Sequence, residues 1–151
     1  MNHVLMVANE ILINASLTRV WDVLTNPEET RKYMYGCETV SDWKPGSPLL
    51  WRAEVEDKMT VFVKGNIVDI KPGHMLAYTT FDPNNSAIAD IPENYLTVTY
   101  RITEEDGQTL LVVTQGDYAK VAEGEKRYHD TVQGGGWAAV LAEIKKVAES
   151  E

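Results

Sequence analysis

Three histidines and one cysteine are the residues of this 151-residue chain from which acid–base or nucleophilic chemistry is most often built. His3 lies at the terminus, His74 follows Pro72-Gly73 in a turn-like sequence, and His129 falls in a stretch with helical pattern. None has an evident partner to position it as a base. Cys37, standing alone, reads as a small apolar residue rather than a nucleophile. HExxH, CxxC and His-x-His spacings do not occur, so no metal centre, cofactor or catalytic residue is assigned. Gly134-Gly135-Gly136 is not a phosphate loop, because no strand feeds it and neither lysine nor serine or threonine follows. The aromatics carry the stronger signal. Trp51, Tyr78, Tyr100 and Trp137 come from different segments and can share one interior. A buried tyrosine hydroxyl needs a partner, and pockets for small molecules combine apolar walls with a few such polar groups. Ordinary core packing is the competing reading.

The elements that would position these residues follow from periodicity. Val4 to Asn14 is rich in aliphatic residues and reads as a strand. Ser16 offers an N-cap to a short helix whose Leu17, Val20, Trp21 and Leu24 share one face, expected to be buried. Asn26-Pro27 restarts a second helix, with Glu29 where a capping box places its acid and Gly36 as the stop. From Cys37 the period becomes two. Strands are expected over Cys37 to Trp43 and over Leu49 to Glu56, the latter with Trp51, Ala53 and Val55 on one face. Met59 to Ile70 follows, changing phase at a bulge near Gly65-Asn66. Met75 to Asp82, Asn94 to Thr103 and Thr109 to Tyr118 complete an antiparallel meander, with Leu96, Val98, Tyr100 and Ile102 on one side. Residues from about Glu123 to Glu149 read as one long helix, its stripe including Trp137, Val140, Leu141, Ile144 and Val147. The glycine triplet inside it marks either a kink or a close approach, and the pattern leaves both open.

Composition narrows the function classes. A net charge of −9 disfavours nucleic acid and anionic lipid as partners. No apolar run approaches the roughly 18 residues of a membrane helix. The start lacks a secretory signal, and a lone cysteine agrees with a reducing cytoplasm. One domain spanning residues 1–151 is expected, of α+β class: a curved antiparallel sheet wrapped around the long C-terminal helix, with two short helices after the first strand. The gap between sheet and helix is the natural pocket.

Several segments carry a family resemblance. Ile11-Leu12-Ile13-Asn14-Ala15, followed by Val20-Trp21-Asp22-Val23-Leu24-Thr25-Asn26-Pro27-Glu28, resembles the opening of the SRPBCC (START-like, Bet v-like) superfamily. Gly65 to Pro72 leading to Leu76-Ala77-Tyr78-Thr79 is similar to the central pattern of its AHSA-type branch, the homologues of the activator of the heat-shock chaperone ATPase. Gly107-Gln108-Thr109-Leu110-Leu111 and Gly136-Trp137 through Leu141 resemble its last strand and helix. The resemblance implies a helix-grip fold. The position after Thr114, often histidine in this branch, is Gln115 here. Eukaryotic cochaperones make much of their chaperone contact through a separate N-terminal domain, and no counterpart of it is expected within these 151 residues.

The expected function is therefore non-enzymatic binding of a lipophilic or aromatic small molecule. Its site would be formed by Trp51, Val63, Tyr78, Val98, Tyr100, Trp137 and Leu141. Strand alternation turns Trp51, Val63, Val98 and Tyr100 inward, the helical stripe turns Trp137 and Leu141, and Tyr78 rests chiefly on the resemblance. Two alternatives come from the same superfamily: an enzyme of the cyclase or hydratase kind, which would need an acid/base pair in the pocket, and a stress-related accessory protein that contacts a chaperone. Either a monomer or a homodimer is compatible with the sequence.

Overall fold

A computed structural model describes residues 4–150; His3 lies outside them. Strand β1 (Val7–Ile13) leads into helices α1 (Leu17–Thr25) and α2 (Pro27–Tyr33). Six further strands follow: β2 (Glu38–Ser41), β3 (Pro48–Val55), β4 (Lys58–Lys71), β5 (Met75–Thr80), β6 (Leu96–Glu105) and β7 (Gln108–Gly116). Helices α3 (Gly124–Gln133) and α4 (Ala138–Ser150) end the chain. The strands form one antiparallel sheet in the order β1-β7-β6-β5-β4-β3-β2. The fold is α+β, a curved open sheet gripping the C-terminal helix.

Alternation builds the concave face as expected in the central strands. Leu96, Val98, Tyr100 and Ile102 are buried along β6, and Leu111 and Val113 along β7. On α4, Leu141, Ile144, Val147 and Ala148 bury against this face and complete the core. In α1 the stripe shifts: Val20 and Leu24 are buried, Leu17 and Trp21 are half-buried against the core, and Val23 takes the third fully buried place.

The caps form at Ser16, whose hydroxyl accepts from the Arg19 N–H at 3.1 Å, and at Asn26, whose amide oxygen accepts from the Glu28 N–H at 3.0 Å. Glu29 does not serve a capping box. Its carboxylate pairs instead with Arg19 at 3.2 Å and Lys32 at 3.0 Å. The same Arg19 guanidinium donates to the Val147 and Ala148 carbonyls at 2.9 and 3.3 Å. One cation thus ties α1 and α2 to the last turn of α4, where exposed carbonyls favour positive charge.

Three expectations need correction. The bulge expected near Gly65-Asn66 falls at Val68, two residues beyond, and β4 has a second one that the pattern does not indicate. The register slips twice, at Phe62 opposite Trp51/Arg52 and at Val68 opposite Tyr78/Ala77, and both extra residues are exposed. Gly65 lies between the slips because a Cβ there would stand 1.7 Å from the Thr79 carbonyl oxygen. Val55, near the β3–β4 hairpin tip, is exposed rather than inward, since the sheet there runs past the helical layer. The C-terminal region is two helices, not one. Gly135 and Gly136 take φ of +93° and +61°, which breaks the helix, and α4 then restarts at Ala138. The triplet is both a kink and a close approach, because a Cβ on Gly136 would lie 2.6 Å from Asn9 Oδ1 of β1. At 13 residues α4 still exceeds α1 and α2, with 9 and 7. No helix among the described residues is long and apolar enough to cross a membrane.

Candidate functional site: an apolar cavity between sheet and helix

The break before α4 sets the site. Asn9 accepts from the Trp137 backbone N–H at 3.0 Å and donates to the Gly135 carbonyl at 3.4 Å, so β1 holds the bend and aims the indole along the concave face. A cavity of about 380 Å³ opens beside it. Trp51 (β3), Val63 (β4), Tyr78 (β5), Val98 (β6) and Trp137 form its walls. These are five of the seven residues expected from sequence. Tyr100 and Leu141 are not in the wall. Both are fully buried in the core behind it, where the curvature of the sheet has closed over them.

Six further residues complete the lining. Met34, Tyr35 and Cys37 come from the link between α2 and β2, Phe62 from the first bulge, Thr80 from the end of β5 and Gln115 from the end of β7. Two of these were within reach of alternation: Thr80 continues the phase of Leu76 and Tyr78, and Gln115 that of Leu111 and Val113. Tyr35, at a φ of +53°, and Phe62, the extra residue of a bulge, carry no such signal.

Aromatic rings run from the wall into the core. Trp51 and Tyr78 have centroids 6.1 Å apart, Tyr78 and Tyr100 meet edge-on at 5.5 Å, and Tyr100 meets Trp137 edge-on at 5.9 Å. The Tyr78 and Tyr100 hydroxyls lie 2.6 Å apart in a hydrogen bond, and the Trp137 indole N–H donates to Gln115 Oε1 at 2.9 Å. Burial pushes both tyrosine hydroxyls well above their ordinary range, with the neighbouring hydroxyl adding to the rise at Tyr78. Burial likewise raises the Cys37 thiol. All three groups are therefore neutral and protonated near pH 7. No Asp, Glu, His, Lys or Arg is among the described residues that line the cavity. His74 and His129 are exposed elsewhere, the latter edge-on to Tyr128. What such a wall can do is desolvate an apolar molecule and orient it through a few neutral groups.

The sequence model of the family described as Activator of Hsp90 ATPase homolog 1-like protein matches residues 14–149. The chain belongs to this family. Among solved structures, it is similar to the Cytophaga hutchinsonii protein ChR145. The two are 32% identical over 99% of this chain and 97% of that one, with a TM-score of 0.74. The Aha1 dimer from Colwellia psychrerythraea shares the fold at 14% identity, over 95% of this chain and 96% of that one, with a TM-score of 0.67. An HSP90 activator from Plasmodium falciparum does so at 13% identity, over 75% of this chain and 73% of that one, with a TM-score of 0.59. No curated protein matches the chain. The AHSA-type resemblance in α1 and the β4–β5 hairpin lies within the matched span, which begins just after β1.

Proposed function

We propose that this member of the family binds an apolar or aromatic small molecule in the cavity bounded by the sheet, the α2–β2 link and Trp137 just before α4. The observation that carries the reading is the cavity itself: about 380 Å³ of space walled by Trp51, Val63, Tyr78, Val98 and Trp137. Its volume lies within the roughly 300–1,000 Å³ typical of small-molecule sites. Walls that are almost wholly apolar and aromatic, around a space partly open to solvent, support binding of an apolar molecule there. The enzyme alternative draws no support from the lining, whose titratable groups are tyrosines and a thiol. The chaperone-accessory reading draws on the family name, and it would use the outer surface, leaving the cavity free.

Titration with diphenylmethane, followed by the indole N–H resonances, tests the proposal. Saturable shifts at Trp51 and Trp137 are expected. Val98→Trp fills the cavity and should abolish them. Val63→Trp, at a half-exposed point of the same wall, serves if the first variant does not fold. Unchanged affinity in a folded plugged variant overturns the reading. Stimulation of an Hsp90 ATPase by such a variant would favour the accessory role instead.

A further inference from the structure

Trp137 fixes which way the Gln115 amide faces. An indole N–H can only donate, so the group 2.9 Å from it must be the amide oxygen. The NH₂ end then points away from the indole, and its two protons find no protein acceptor among the described residues. Gln115 stands at the junction of the cavity with an adjoining cleft that holds Arg127 and Asp130, and Val63 and Thr80 border both spaces. The amide therefore presents donors at the cavity mouth.

The tyrosine pair has the same imbalance deeper in the wall. Tyr78 and Tyr100 are 2% and 0% exposed, and their hydroxyls share one hydrogen bond. Two hydroxyls bring two protons, and one bond uses only one of them. Either hydroxyl can be the donor, and the second proton has no acceptor among the described residues. Leaving a buried donor unmade is costly, whereas an oxygen with a spare lone pair is tolerated far better. The polar groups of the cavity thus lack acceptors, not donors. A carboxylate would supply acceptors but would bury its charge against a wall with no cation in it.

Resting on the small-molecule reading above, we propose that the ligand is an uncharged, mainly apolar molecule carrying a hydrogen-bond-accepting oxygen such as a carbonyl, and that the Gln115 amide selects for it.

Benzophenone and diphenylmethane have the same two rings and differ only by a carbonyl in place of a methylene. Their affinities, with that of diphenylacetate as the anionic comparison, can be measured by following the indole N–H resonances. The ketone is expected to bind about tenfold more tightly than the hydrocarbon, as one buried hydrogen bond allows. Gln115→Glu keeps an acceptor for the indole but removes both donors, and should bring the ketone-to-hydrocarbon ratio to about one or below. Gln115→Met should do the same without adding charge, with thermal unfolding confirming that each variant is folded. Equal affinity for ketone and hydrocarbon in the unsubstituted protein overturns the donor assignment while leaving the binding reading intact. A ratio unchanged in both folded variants removes Gln115 from the role. Diphenylacetate binding as tightly as the ketone overturns the uncharged class. Binding of none of the three overturns the small-molecule reading and this inference with it.

Discussion

Glu38 shows how a single side chain can carry stability without standing in the core. It sits at the start of β2 between Arg31 of α2 and Arg52 of β3, with Arg52 Nε 3.0 Å from its carboxylate. The hydrogen bond from Arg31 first, and that from Arg52 next, hold its carboxyl below the ordinary glutamate range. A carboxyl lowered on folding stabilises the native state above its unfolded pKa, and loses that contribution as pH falls through the folded one. The midpoint of thermal unfolding should therefore drop on acidification from about pH 5 to about pH 3. The drop should be shallower in Glu38→Gln, and parallel curves would mean that the pair contributes nothing. Both arginines are partly exposed, so added salt should shrink the difference. Nothing in the sequence marks this triad, since its members are distant in the chain and meet only through the β2–β3 register. Gln115 is the opposite case. The alternation of Leu111 and Val113 turns it inward, so the sequence holds its position, but its hydrogen-bonding role appears only once Trp137 is seen beside it.

At the scale of elements, strict periodicity is legible and interruptions are not. β6 could be read residue by residue because Leu96 to Ile102 alternates without a slip. β4 could be read only as a strand that changes phase. Its slips at Phe62 and Val68 depend on how β3 and β5 pair with it, which one strand's pattern does not contain. The glycine triplet likewise announced an interruption, while its geometry depends on Asn9 from the far end of the chain. Gly65 is where this tertiary requirement is sharpest. A Cβ there would stand 1.7 Å from Thr79 O and 2.4 Å from its carbonyl carbon, and these are backbone atoms that cannot rotate aside. Gly65→Ala must therefore part β4 from β5 beside Tyr78. A loss of about 2–3 kcal/mol in denaturant unfolding is expected, at the upper end for overpacking. Loss of the Tyr78 contribution to the cavity wall should accompany it, seen as weaker binding of diphenylmethane. A loss below about 0.5 kcal/mol, the size of an ordinary surface substitution, would show that the strands are not held this closely.

For the molecule as a whole, the cavity is a meeting point rather than a feature of any one element. Its walls come from β3, β4, β5, β6 and β7, from the link after α2 and from the residue that opens α4. Five of the residues expected from sequence stand in this wall, because the curvature of the sheet and the position of the helix follow from the fold class. Tyr100 and Leu141 were assigned to the wall because alternation and helical spacing say which face a residue takes, not how deep it lies. Depth is set by how far the sheet closes on α4, and that depends on the bulges and on the kink at Gly135 and Gly136. A ligand that fills the space would touch the sheet and the start of α4 together, and so bind only the assembled fold. Binding to the native state alone stabilises it by mass action, by about 2.7 kcal/mol at a ligand concentration of 100 times Kd. For a chain of this length that corresponds to a rise of about 5–10 °C in the unfolding midpoint. The rise should grow with the logarithm of ligand concentration and should vanish in Val98→Trp, whose indole would occupy the same volume from near the start of β6. A rise of equal size in that variant would place the ligand elsewhere on the protein. A midpoint that does not move in the unsubstituted protein, at concentrations that saturate the indole resonances, would mean that the ligand binds the unfolded chain as well, and the cavity would then not be its site.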